Sequence, residues 1–109
     1  MSPEAIVQHQ LDAYNAHDID SYLTVYADDV EVFRPPQAEP TMSGKAALGE
    51  FYGKQRFTLP GLRADLLNRI VVGNRVIDHE RVFGIKEEPF EVAAAYDVVD
   101  GLIRRVWFL

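Results

Sequence analysis

The chain has 109 residues, 48% of them hydrophobic, with a formal net charge of −6 and no cysteine. That length supports one core and excludes two, and the hydrophobic share excludes a disordered chain. The missing cysteines exclude disulfides, a thiolate nucleophile and any cysteine-held zinc or iron–sulfur site. Acidic residues are spread along the chain, and the nearest approach to a basic patch is Arg104-Arg105. Adjacent strand residues point to opposite faces, so nucleic acid is not an expected partner. No apolar run is long enough to span a bilayer, so no membrane partner is expected. Met-Ser-Pro-Glu is polar and opens into a helical pattern, not a secretory signal, which makes the cytoplasm the expected location.

Ser2-Pro3-Glu4 is a helix start, with serine as cap and proline in the first turn. Ile6, Val7, Leu11 and Tyr14 follow at helical spacing. A second, shorter helix starts at Asp18 and carries Tyr22, Leu23, Val25 and Tyr26. Ala27-Asp28-Asp29 breaks it, and Val30–Phe33 alternates as a strand that Arg34-Pro35-Pro36 ends. After a proline-containing loop, Ser43 is placed to cap a third helix with Ala46, Ala47, Leu48, Phe51 and Tyr52 inward.

From Leu62 the pattern is β. Leu62–Val72 and Arg75–Ile85 flank the turn Gly73-Asn74, and Phe90–Val99 and Leu102–Leu109 flank Asp100-Gly101. The order α-α-β-α-β-β-β-β predicts an α+β fold with the helices gathered on one face of an antiparallel sheet, in a single domain over 1–109.

Two-residue turns also predict cross-strand neighbours. Pairing Val72 with Arg75 sets Ile70 against Ile77, Arg69 against Asp78 and Asn68 against His79. Leu62, Ala64, Leu66, Ile70, Ile77 and Phe83 then share one face with Asn68 and His79, predicting both polar side chains inward. The other face carries Arg63, Asp65, Arg69, Asp78 and Glu80. In the second hairpin, Asp97 is expected opposite Arg104, Ala95 opposite Val106 and Ala93 opposite Phe108. Both faces of that hairpin are apolar, which predicts a homodimer through the outer face of the sheet.

The element order resembles the nuclear transport factor 2-like superfamily, and within it the SnoaL-like and ketosteroid-isomerase-like branch. The phrases that carry the resemblance are Tyr14-Asn15-Ala16-His17-Asp18-Ile19-Asp20, Tyr26-Ala27-Asp28-Asp29, Gly44 through Phe51-Tyr52, and Asp100-Gly101 with Ile103, Val106 and Trp107. It implies a cone-shaped, curved antiparallel sheet wrapped around the helices, with a small-molecule ligand in the cone. Ketosteroid isomerases combine an aspartate base with an oxyanion hole of tyrosine and protonated aspartic acid. Counted by the resemblance, those positions fall on Arg34, Gln10 and a residue near Ala95. Arginine does not abstract a proton at neutral pH and alanine donates no side-chain hydrogen bond. Two supporting tyrosines of the family correspond to Tyr26 and Tyr52.

His79 is the first catalytic candidate, either as a general acid or base or as a neutral core histidine satisfied by Asn68. Arg34 is the second, offering a planar fork to an oxyanion or pairing with Glu31 or Glu39 at the rim. Gln10, Tyr14, Tyr26, Tyr52, Asn68 and Phe108 are the expected ligand-binding residues. In Asp78-His79-Glu80 the middle side chain points away from its neighbours, and His9 and His17 lack a zinc pattern, so no metal is expected. With no dinucleotide fingerprint or phosphate loop, no cofactor is expected either. Two functions follow: a cofactor-free isomerase, cyclase or hydratase acting on a small apolar carbonyl compound, or a non-catalytic small-molecule-binding or dimerisation domain.

Overall fold

The computed structural model describes residues 1–109. Helix α1 (Pro3–Ala16) begins as its cap chemistry requires, with the Ser2 hydroxyl accepting from the Ala5 N–H at 3.1 Å. It ends at His17, whose backbone turns left-handed at φ +56°. A ring nitrogen of His17 donates to the Leu62 carbonyl at 2.8 Å. Asn15 grips the backbone of Ala64 with two bonds, 3.0 Å to its carbonyl and 2.8 Å from its N–H. The Tyr14–Asp18 phrase is therefore a clamp that fixes α1 to the sheet.

Helix α2 (Ile19–Leu23) is capped by the Asp18 carboxylate, which accepts from Ser21 N–H at 3.1 Å. Strand β1 (Tyr26–Phe33) starts four residues before the expected Val30. A two-residue strand β2 (Met42–Ser43) takes up the serine expected to cap the third helix, and Gly44, at φ +92°, stands at that cap instead. Helix α3 (Lys45–Phe51) buries Leu48 but leaves Ala46 and Ala47 exposed. It runs on as a π-helical turn, Tyr52–Arg56, closed by the Phe57 N–H on the Tyr52 carbonyl at 2.8 Å. Wider turns of this kind re-aim the side chains they carry.

Strands β3 (Arg63–Val72), β4 (Arg75–Phe83), β5 (Phe90–Val99) and β6 (Leu102–Phe108) complete one curved sheet in the order β2-β1-β6-β5-β4-β3. The α+β architecture is as expected, with one departure: β1 joins β6 in parallel. No turn connects those two strands, so no local signal announces their pairing. Both predicted turns hold, with Val72 opposite Arg75 and Val99 opposite Leu102.

The faces are where the prediction fails. The pairs Asn68–His79 and Arg69–Asp78 form as expected, but the inward residues of β4 are Val76, Asp78, Glu80 and Val82. His79 and Asn68 are exposed on the opposite face, and His79 pairs there with Glu91. In β3 a bulge leaves Leu67 without a partner, between Leu66 opposite Glu80 and Asn68 opposite His79. Ala64 and Arg69, five residues apart, thereby both turn inward. A second bulge, at Arg104, sets Arg105 rather than Arg104 against Asp97 and Val106 against Tyr96 rather than Ala95. The inner face of β5 is consequently Val92, Ala94, Tyr96 and Val98, while Ala93 and Ala95 belong to the outer one.

The helices pack on the inner face over a core that includes Ile6, Val7, Val30, Val76, Ile103 and Val106. The outer face carries Ile70, Ile77, Ala95 and a Phe33–Trp107 stack with centroids 5.8 Å apart. No helix is long and apolar enough to cross a membrane.

Candidate functional site

Between α1, the π-helical turn and the inner faces of β4, β5 and β6 lies a cavity of about 450 Å³. Leu11, Ala64, Val82, Ile85, Phe90 and Val92 form its apolar wall. Its polar groups are few: Gln10, four tyrosines (Tyr14, Tyr22, Tyr52 and Tyr96), one carboxyl (Glu80) and three cations (Arg34, Arg56 and Lys86). A mostly apolar recess with a small convergent set of polar groups is the usual form of a small-molecule site.

Glu80 stands out in it. The residue is 7% exposed, and its neighbours across the ladder are apolar on both sides, Leu66 on β3 and Val92 on β5. No ion pair or side-chain hydrogen bond holds its carboxyl. Burial pushes its pKa up from 4.5 to about 7, the Asp78 charge adds to the rise, and Arg69 opposes it. Two residues away, Asp78 is fully buried yet paired: Arg69 grips it with Nε at 2.7 Å and a second guanidinium nitrogen at 2.9 Å. The same guanidinium donates to Gln8 on α1 at 2.9 Å, which draws Arg69 beneath the helix. Of two neighbouring inward carboxyls, one is neutralised by a fork and the other is left to face the cavity. Separated environments of this kind are how a protein keeps one carboxyl ready for proton transfer near neutral pH.

Around Glu80 the phenols form one network. Tyr26 donates to the Tyr22 oxygen at 3.0 Å and to Gln10 Oε1 at 3.5 Å. The Tyr22 ring lies 5.1 Å from Tyr52 and 6.4 Å from Tyr14, centroid to centroid. Burial raises the pKa of Tyr14, Tyr22, Tyr52 and Tyr96, so each keeps its proton at neutral pH. At Tyr52 the rise is opposed by the neighbouring Tyr22 phenol and by the charges of Arg34 and Arg56.

Of the residues expected from sequence, Gln10, Tyr14, Arg34, Tyr52 and Phe108 do line this cavity. Tyr26 does not; it is sealed behind Tyr22 at 2% exposure and supports the network from the core. Asn68 and His79 lie on the far side of the sheet, which removes His79 from any chemistry in the cavity. Arg34 pairs with neither Glu31 nor Glu39; its guanidinium rests 4.6 Å over the Phe108 ring. The sequence pattern does not place Glu80 in the cavity, nor Tyr22, Arg56, Lys86 and Tyr96, all of which line it. A signal for Glu80 existed: with Arg69 assigned to Asp78, the cross-strand neighbour of Glu80 could only be a leucine.

A family model of the SnoaL-like domain matches residues 7–106. Among solved structures, an uncharacterised cystatin-fold protein from Novosphingobium aromaticivorans is similar over 100% of this chain and 98% of its own, at 25% identity and TM-score 0.90. A candidate ketosteroid isomerase from Kribbella flavida is similar over 97% of this chain and 75% of its own, at 20% identity and TM-score 0.83. A candidate polyketide cyclase from Sinorhizobium meliloti is similar over 96% of this chain and 94% of its own, at 21% identity and TM-score 0.82.

Proposed function

We propose that this chain, which belongs to the SnoaL-like family, is a cofactor-free enzyme that moves a proton on a small carbonyl compound, with Glu80 as the proton carrier. The observation that carries the reading is Glu80 itself: buried, unpartnered and facing an apolar cavity, a setting whose burial pushes its pKa up to about 7. Near pH 7 both of its forms are populated, which suits a group that takes a proton and returns it. The carboxylate removes a proton from the carbon beside the carbonyl; the electron pair of that C–H bond becomes a carbon–carbon double bond, and the carbonyl π pair moves onto oxygen to give an enolate. Phenolic protons of Tyr14 and Tyr52 stabilise that oxygen, and the proton held by Glu80 returns to carbon. The apolar wall keeps bulk water from competing. Isomerisation and the first step of an aldol-type cyclisation share this chemistry.

The test is exchange of solvent deuterium into the α-position of a panel of small cyclic and aryl ketones, followed by NMR. Exchange above the buffer rate is expected, falling by about a hundredfold or more in Glu80→Gln and unchanged in His79→Ala. No exchange with any ketone, or full exchange in Glu80→Gln, refutes the assignment. Ligand binding without exchange would favour the second reading, a non-catalytic small-molecule-binding domain.

The outer sheet face is proposed to pack against a second copy of the chain. In support, Ile77, Ala95 and the Phe33–Trp107 stack share that face with opposite charges, Arg81 and Glu91 among them, a mixture that a two-fold contact can make self-complementary. Light scattering at micromolar concentration is expected to give the dimer mass, and a monomer mass would refute it.

A further inference from the structure

The chain holds 11 lysines and arginines against 17 aspartates and glutamates, so acids are in excess. Lys45, Lys54, Arg63, Arg69, Arg75, Arg81, Arg104 and Arg105 each reach a carboxylate. The remaining three are Arg34, Arg56 and Lys86, and all three line the cavity. They come from separate parts of the chain: the end of β1, the π-helical turn and the segment after β4. Glu87 and Glu88 follow Lys86 directly, yet neither pairs with it.

Each of the three is held over an aromatic ring that also lines the cavity. Arg34 sits 4.6 Å over Phe108, Arg56 4.7 Å over Phe51, and the Lys86 ammonium 4.6 Å over Phe90. Contact with a ring face positions a cation without using up its N–H donors. One Arg56 donor goes to the Gln55 carbonyl at 3.2 Å. Ring contact does not by itself leave a cation unpaired. Arg63 and Arg75 also lie over rings, Phe83 and Trp107, and each still has its carboxylate, Asp65 and Asp97. The cavity therefore gathers the lysine and arginine side chains that no carboxylate holds around an apolar recess whose only carboxyl is Glu80.

We propose that the ligand of this cavity is an amphipathic acid: an apolar ring or short chain seated against the inner wall, with a carboxylate held at the mouth by Arg34, Arg56 and Lys86. This names the substrate class and rests on the reading of the cavity as a small-molecule site. A guanidinium fork matches a carboxylate in geometry as well as charge. The ammonium adds a point charge, and the local field opposes the net charge of the whole chain. A carbonyl compound of this class is a keto acid, with its reacting carbon near Glu80 and its acid group kept apart from it.

The experiment uses a matched pair of probes, 1-naphthylacetate and its neutral amide, titrated by calorimetry into the full chain. The acid is expected to bind about tenfold more tightly than the amide, since Arg34 and Lys86 are exposed and partly screened. Raising salt from about 20 mM to about 0.5 M should shrink that preference without moving the amide. In a combined Arg34→Gln, Arg56→Gln, Lys86→Gln variant the preference should fall to within about threefold. If that variant fails to fold, Arg34→Gln and Lys86→Gln singly should each lower it, both being exposed positions. Equal binding of acid and amide, a preference that survives the substitutions, or binding of neither probe overturns the proposal. Its failure is separable from that of the proton-transfer reading: equal binding of acid and amide by a chain that still exchanges ketones refutes only the acid preference, and an acid that binds without any ketone exchanging refutes only the chemistry.

Discussion

Substituting Glu80 by glutamine tests the site without knowing a substrate. A carboxyl that ionises at 4.5 in the unfolded chain and at about 7 in the folded one binds its proton more tightly when folded. Below pH 4.5 the group is protonated in both states. As pH rises toward 7 the unfolded chain sheds the proton while the folded one keeps it, so stability falls. Above 7 both states are ionised and the loss is complete. At about 1.4 kcal/mol for each pH unit, the gap between 4.5 and about 7 is worth about 3 kcal/mol. What sets it is the burial of the carboxyl first, then the Asp78 charge beside it, with Arg69 opposing the rise. Glutamine keeps the shape and removes the titration. In urea melts from pH 5 to pH 8, Glu80→Gln is expected to gain about 2–3 kcal/mol on the wild type across that range, the difference growing with pH. A constant difference, or one shrinking with pH, would refute the claim that the folded cavity disfavours the charged form. The expected result also implies that the protein tolerates a destabilising carboxylate at neutral pH, as functional sites commonly do.

Two further substitutions probe the supports of the site. Arg69→Met leaves the fully buried Asp78 carboxylate without its fork and should cost about 3 kcal/mol, shifting a urea midpoint down by about 2 M, while Arg69→Met with Asp78→Leu recovers most of it. A double variant as unstable as the single one would argue against a charge effect. Gly84→Ala should cost about 3 kcal/mol in thermal or urea melts, because φ is +89° there and a Cβ would sit 2.3 Å from the Gly61 carbonyl carbon; a loss below about 1 kcal/mol would count against that close approach.

Local chemistry was legible in the sequence. Ser2 and Asp18 cap where expected, and the turns at Gly73 and Asp100-Gly101 set the end register of both hairpins. What local chemistry cannot supply is the choice of face. In β4, Val76 and Val82 on one side weigh against Ile77 and Phe83 on the other, and each side carries polar residues between them. The decision is made at a distance, by Gln8 on α1 receiving Arg69 and by Asn15 anchoring Ala64. The two bulges leave no mark in the residues that form them, and the parallel β1–β6 pairing joins the ends of the chain. Gln10, Tyr14, Arg34 and Tyr52 could be placed because helix spacing or the family resemblance put them there; Phe108 came from hairpin register, though its partner is Ala94 and not the expected Ala93. Glu80 was hidden by the parity of a strand.

That same parity bears on solubility. Strand β3 is an edge of the sheet, and it exposes Leu66, Leu67, Ile70, Val71 and Val72 to water. It contains no proline, and the bulge at Leu67 is what bends the edge away from a passing strand. Deleting Leu67 would leave Ala64 and Arg69 four residues apart, an even spacing that keeps both inward without any bulge. The two anchors of the site would survive, but the chain would gain a straight apolar edge. Its fault would then lie in sticking to its neighbours, with the fold and the cavity intact.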